Sequence, residues 1–257
     1  MAEITHVEVQ QWIAGQKGSA ATIVKHHRVL SQILKLAVKD KRIAVNPAEG
    51  VDLPTVKAKK RRYLTAKQVE ALADASGEYR PLILLLAYTG LRWGEMAALR
   101  VRDVDMLRRR VTVTEAVAIV KGKIVWSDPK DHEHRWIPIP KSVCAELAPM
   151  MNGKSRDDLL FPGPRSGDVL RHQAARRSWF DDAVVQAKCP EGLTPHELRH
   201  TAASLAISAG ANVKALQRML GHAKASMTLD VYSDLFDDDL ESVAVALDES
   251  RTAARIG

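Results

Sequence analysis

The sequence predicts a mainly α-helical chain with a small antiparallel β-sheet, split into a helical N-terminal module and a larger mixed α/β module. Three observations lead there. Apolar residues recur at helical spacing behind capping signatures in the first 50 residues, and again from residue 142 onwards. β-branched runs bounded by turn residues are confined to the stretch 111–139. Between the modules, prolines and a lysine–arginine run interrupt both patterns.

Thr5 and Glu8 form a capping-box pair ahead of Val9 and Trp12, which predicts a short first helix. From Ala20 to Asp40, Ile23, His27, Leu30, Leu34 and Ala37 or Val38 mark one buried face, with Lys25, Arg28, Lys35 and Lys39 around the rest. Residues 1–51 therefore form a helical module. Leu53-Pro54 and the basic run Lys57, Lys59, Lys60, Arg61 and Arg62 place a linker over 52–62. Those eleven residues, fully extended, reach roughly 36 Å, enough to pass alongside a duplex.

The second module, 63–257, opens with the capping pair Thr65 and Gln68 for a helix to Ala75. An apolar helix follows from Pro81 to Thr89, stopped by Gly90, and a short one from Trp93 to Leu99. Val111-Thr-Val, Lys123-Ile-Val-Trp and Trp136-Ile-Pro-Ile predict a three-stranded antiparallel sheet with turns near Lys121-Gly122 and Asp128–Glu133. Further helices are predicted over 142–151, 171–187, 195–209, 212–220 and 226–234, with Gly210 and Gly221 as C-terminal caps. Leu240, Val243, Ala244 and Leu247 make a last apolar stripe behind Asp237–Asp239, acids suited to a helix N-terminus.

Two cysteines, Cys144 and Cys189, exclude a disulfide framework and a cysteine zinc cluster, and point to a reducing interior. The longest apolar stretch, Pro81–Ala87, is far short of the ~20 residues that span a bilayer, and no signal-peptide pattern opens the chain. The expectation is a cytoplasmic protein without membrane contact. Charge is unevenly placed. Residues 1–62 carry 12 Lys and Arg against 5 Asp and Glu, whereas Asp234–Glu249 holds seven acids and no Lys or Arg. Basic surface of this kind suits a polyanion such as nucleic acid, and a solvated lysine face gives the same count.

Four segments carry chemistry: Thr89-Gly-Leu-Arg-Trp-Gly-Glu95, Pro129-Lys130, Thr194-Pro-His-Glu-Leu-Arg-His200, and Leu220-Gly-His222 with Tyr232 downstream. Arg92 and Arg199 are permanent planar cations able to grip phosphate oxygens, and Arg199 lies one helical turn from His196. His196 follows Thr194 and Pro195 at a helix start, where phosphate is favoured. Tyr232 is a candidate nucleophile, provided that cations or a base stabilise a phenolate whose ordinary pKa is about 10.

The ordered set Arg92, Glu95, Lys130, His196, Arg199, His222, Tyr232 resembles the active site of the tyrosine recombinases, the phage-integrase family, across essentially the whole second module. The resemblance implies a helical core-binding module joined to a mixed α/β catalytic domain that together clamp DNA. It implies attack by Tyr232, a 3′-phosphotyrosyl link, and release of a 5′-hydroxyl protonated by Lys130, with Lys121 or Lys123 as alternative acids if the hairpin registers differently. His196 would act as acid or base around the tyrosine oxygen, and His222 would hydrogen-bond the phosphate. Glu95 would orient Arg92 or a histidine, or form a simple salt bridge; His200 and Trp93 read as supporting or core residues. Candidate DNA-binding residues are Lys25, Arg28, Lys57, Lys59, Lys60, Arg61 and Arg62.

Because a phosphotyrosyl link conserves bond energy, no cofactor, ATP or metal is expected. The expected partner is a double-stranded recombination site, bound by a homotetramer across two sites, with a monomer or weak dimer away from DNA. The segment 237–257 would dock on a neighbouring protomer, packing in cis being the alternative. The expected role is phage integration or excision in a bacterial or phage-infected cell, at the nucleoid. The N-terminal module is short for the family, consistent with a fragment or a minimal integrase.

Competing readings are a type IB topoisomerase and a catalytically silent DNA-binding protein. A more remote one is a zinc metallopeptidase, because His196-Glu-Leu-Arg-His200 matches H-E-x-x-H. Ala203 stands where the metzincin glycine belongs, and no glutamate occurs between Glu197 and Glu241 to supply a third ligand.

Overall fold

The computed structural model describes residues 4–56, 62–127, 135–165, 168–232, 245, 247–248 and 251–252. Backbone packing divides the chain into two compact units, 1–60 and 61–257, with the division inside the stretch read as linker.

The first unit holds α1 (His6–Gly15) and α2 (Ala20–Lys39). Thr5 and Glu8 form the predicted capping box, and Ser19 caps α2 through the Thr22 amide. Val9, Leu34, Ala48 and Val51 make its core, with Leu30 and Ile43 against them. His27 Nε2 lies 2.8 Å from the Ala48 carbonyl, so a histidine on the inward face secures the returning chain. Asp52 still exchanges two hydrogen bonds with the Gln10 side chain, and the packed chain thus runs one residue into the predicted linker. Lys25 and Arg28 are exposed on α2.

In the second unit, α3 (Ala66–Ala75), α4 (Arg80–Thr89) and α5 (Trp93–Ala98) precede five strands: β1 (Val104–Asp105), β2 (Arg110–Val113), β3 (Ala116–Val120), β4 (Lys123–Ser127) and β5 (Arg135–Pro138). Then come α6 (Lys141–Met151), α7 (His172–Ala175), α8 (Asp181–Gln186), α9 (Pro195–Ser208), α10 (Val213–Leu220) and α11 (Ala225–Tyr232). Leu82–Ala87 of α4 are all buried, as a helix apolar on every side must be, and α3, α6 and α9 pack around it. The helix predicted over 171–187 runs as α7 and α8 joined by a π-type stretch, Arg176–Phe180.

The sheet differs from the expected one. β2 pairs antiparallel with β1 and β5, in register Val111↔Ile137, while β3 and β4 form a separate hairpin. Burial explains the split: Val111, Val113 and Ile137 face the core, whereas Ile119, Val120, Val125 and Trp126 on the hairpin are exposed. Continuity of β-forming residues revealed β2, β4 and β5, but neither β1 nor β3, nor which strands the core would claim. The Lys121-Gly122 turn is as predicted, with φ of +49° and +78°, the left-handed pair that a two-residue hairpin requires.

Candidate active site

α4 ends because Gly90 turns left-handed at φ +65°, and the turn must be glycine for a second reason. A Cβ there would lie 2.7 Å from Leu220 Cδ2 and 3.4 Å from the Ala202 Cβ, so α9 and α10 close directly on it. The chain leaves this turn at Arg92, just before α5. Glu95, three residues on, accepts the Arg92 amide at 2.9 Å and Arg92 Nη1 at 2.8 Å. Glu95 is 6% exposed and the Arg92 side chain 46%, a buried carboxylate holding a cation whose outer side is open. Gly94 between them lies against β3, where a Cβ would run into the Val117 carbonyl oxygen.

A second guanidinium reaches Glu95 from β5: Arg135 Nη2 donates to Oε2 at 2.6 Å. Burial alone would raise the Glu95 carboxyl; the Arg135 hydrogen bond and charge, with the Arg92 amide and charge, outweigh it and hold it below the ordinary range.

Arg199, expected to grip phosphate oxygens, is itself held by the backbone around it. It is 4% exposed on α9, and its Nη1 and Nη2 donate to the carbonyls of Gly90 at 2.6 Å and Leu220 at 2.5 Å. Those carbonyls belong to the turns that lead to Arg92 and His222. One side chain thus fastens two motifs more than a hundred residues apart to a third, using two of its five N–H groups for these bonds. Burial first, then repulsion by Arg92, pushes it down to about 10, still protonated at neutral pH.

Thr194 and Glu197 form the predicted capping box at the start of α9. His196 follows, lowered by burial and by the charges of Arg199 and Arg92. His222 comes after Gly221, the αL stop of α10, and its Nδ1 lies 2.9 Å from Thr228 Oγ1. Burial, then Arg199, Arg92 and Arg135, push it down to about 4, so the imidazole is neutral at physiological pH. Burial is the larger cause at both histidines; the charges of Arg199 and Arg92 add to it, joined by Arg135 at His222 and opposed by Glu197 at His196.

Tyr232 closes α11 and is 1% exposed, packed with Ala203, Ile207, Leu216 and Leu220. Its phenol oxygen lies 2.7 Å from Nδ1 of His200, the residue read from sequence as supporting or core. His196 sits one turn earlier, its ring centroid 5.3 Å from that of His200. Trp93 donates to the Leu170 carbonyl at 2.9 Å and meets His172 edge-on.

The structure therefore brings Arg92, Glu95, His196, Arg199, His200, His222 and Tyr232 together. Lys130 lies outside the described residues, as do Lys57, Lys59, Lys60 and Arg61, and Leu240, Val243 and Ala244 of the tail stripe. Arg62 donates to the Gly192 carbonyl at 2.9 Å. Arg135 and Thr228 were missed by sequence reasoning. Arg135 opens a strand with no periodic partner, and Thr228 faces His222 across a turn; only the spacing of Arg135, five residues after Lys130, hinted at a shared segment.

Zinc ligation has little to work with. Glu197 is spent on the helix cap and His200 meets Tyr232. Among the described residues no group of three or more His, Cys, Asp or Glu could hold a metal ion, and no helix is long and apolar enough to cross a membrane.

A helical domain with a small sheet thus brings two arginines of the motifs, histidines and a tyrosine to one cationic site. Residues 62–238 match the model of the phage integrase family, and the chain belongs to that family. The putative prophage phiRv2 integrase of Mycobacterium tuberculosis is 30% identical over 238 residues, 89% of this chain and 63% of that protein. The tyrosine recombinase XerC of Corynebacterium efficiens is 29% identical over 243 residues, covering 89% and 73%. The chain thus spans under two thirds of the length of the prophage integrase. In structure, it resembles the Tn1549 transposon integrase in complex with transposon right end DNA, with a TM-score of 0.79, 23% identity, and 95% and 86% of the two chains covered.

Proposed function

We propose that the chain acts as a site-specific DNA recombinase, cleaving and rejoining strands through a 3′-phosphotyrosyl intermediate in phage integration or excision. The observation that carries this reading is Arg199, which spans the Gly90 and Leu220 carbonyls and so gathers the turns of Arg92 and His222 around one point. Cations preset in a half-buried pocket stabilise a pentavalent phosphorane without reorganising during the reaction. Arg92 takes one nonbridging oxygen from its open side and the remaining Arg199 donors take another. Neutral His222, whose Nδ1 faces Thr228, turns Nε2 to the phosphate.

The Tyr232 oxygen attacks phosphorus while the bond to the 5′ oxygen breaks. The phenolic proton passes to His200, which already touches that oxygen, and Lys130 supplies a proton to the departing 5′ oxygen, which leaves as the hydroxyl. The first unit, with Lys25 and Arg28 exposed, serves as the core-type DNA-binding module, and the basic 52–62 segment follows the phosphate backbone. Four protomers act on two sites, the 237–257 segment docking on a neighbour, at the bacterial nucleoid. Affinity for DNA then falls steeply with salt, a dependence that a titration from 50 to 200 mM salt reads directly.

The test is covalent capture. Wild type and Tyr232→Phe are incubated in EDTA with a pool of nicked duplexes, separated under denaturing conditions, and attached DNA is sequenced. An adduct from the wild type alone supports the reading; binding without an adduct from either protein favours a non-catalytic DNA-binding protein.

A further inference from the structure

Glu95 sits between two guanidiniums, and the inner one belongs to a residue that no motif marks. Arg135 is 16% exposed and holds Glu95 Oε2 at 2.6 Å while Arg92 holds Oε1 at 2.8 Å. The same guanidinium lies against the turn after α10. A Cβ on Gly221 would fall 2.8 Å from Arg135 Nε and 2.9 Å from its Cζ, so only glycine, here at φ +64°, lets the arginine pass beneath. His222 is the next residue. Arg135 therefore meets both the carboxylate that orients Arg92 and the backbone that presents His222.

Its burial is costly. Arg135 Nε is buried with no hydrogen-bond partner among the described residues. An unpaired buried donor is destabilising, and a well-packed apolar side chain serves stability at least as well as a buried ion pair. A planar fork at this point has a use that an apolar residue lacks: it fixes two elements at set angles.

We propose that Arg135 is a positioning residue, whose guanidinium fixes Glu95, and through it Arg92, while bracing the Gly221 turn so that Arg92 and His222 meet the same phosphate. The inference rests on the recombinase reading above.

The test uses the full chain and the nicked duplex that the wild type captures, in single turnover at saturating protein. Arg135→Met binds that duplex with affinity close to wild type but forms adduct about tenfold or more slowly, since a shift of ~1 Å in a reacting group costs up to about a hundredfold. In a Glu95→Gln background the same substitution costs only about threefold, because the part of the loss that runs through Glu95 is already gone and only the bracing of the Gly221 turn remains to be lost. Arg135→Lys, a point charge in place of the fork, recovers part of the rate. Losses that multiply in the double variant, or a wild-type rate in either Arg135 variant, would overturn the proposal. If Arg135→Met does not fold, the lysine variant carries the same cycle, with a several-fold loss that Glu95→Gln reduces. No adduct from the wild type itself removes the recombinase reading, and this proposal with it.

Discussion

Nδ1 of His200 lies 2.7 Å from the phenol oxygen of Tyr232, thirty-two residues further along the chain. In the proposed reaction, a base already in contact with the attacking oxygen shortens the path of its proton. His200→Phe therefore lowers the single-turnover rate of adduct formation by about a hundredfold at neutral pH, within the range of one general base. A wild-type rate in that variant would return the role to His196.

Arg199 is buried and donates to the carbonyls of Gly90 and Leu220. Arg199→Met strands both and leaves Arg92 and His222 on loosened turns. It lowers stability by about 3 kcal/mol, the cost of unpaired buried carbonyls, and adduct formation by about a thousandfold. Arg199→Lys does little better, since one ammonium cannot span both acceptors in the guanidinium's geometry. Urea unfolding and single-turnover cleavage separate the two losses.

Stability has a pH dependence of fixed sign. His222 falls from 6.5 in the open chain to about 4 when folded, and His196 is also lowered. Above about pH 6.5 both states are neutral at His222 and nothing is lost. As pH falls from 6.5 towards 4, the unfolded chain binds protons that the folded chain refuses, so stability declines through that window. His222→Gln flattens the decline between pH 6.5 and 4, measured as the urea midpoint. An unchanged slope would contradict the lowering of His222 by burial and the neighbouring guanidiniums.

Gly94 carries the α5 turn against β3, where no Cβ fits beside the Val117 carbonyl. Gly94→Ala forces α5 away from the hairpin, at a cost of about 2 kcal/mol typical of overpacking, and carries Arg92 and Glu95 with it. The variant melts lower and loses cleavage more than binding.

What the sequence made readable was local. Thr5–Glu8, Thr65–Gln68 and Thr194–Glu197 are three-residue hydrogen-bonded caps, and all three stand where the spacing placed them. Arg92 with Glu95, and His196 with Arg199, are likewise partners across one turn of chain. The rest depends on tertiary approach. Arg135 finds Glu95 across 40 residues, Arg199 finds the Gly90 carbonyl across 109, and the sheet pairs β2 with β5 past an intervening hairpin. No periodicity encodes such meetings, and the glycines that permit them, Gly94 and Gly221, read from sequence as a position inside a short helix and a helix stop.

The account turns on which atom takes the phosphate, and the chain has four tyrosines: Tyr63, Tyr79, Tyr88 and Tyr232. The most direct measurement is mass spectrometry of the trapped, nuclease-trimmed and proteolysed adduct, with the DNA labelled separately at its 3′ and 5′ ends. The account predicts a nucleotide on Tyr232 alone, joined through its 3′-phosphate. A nucleotide on any other residue, or a 5′ linkage, would contradict it.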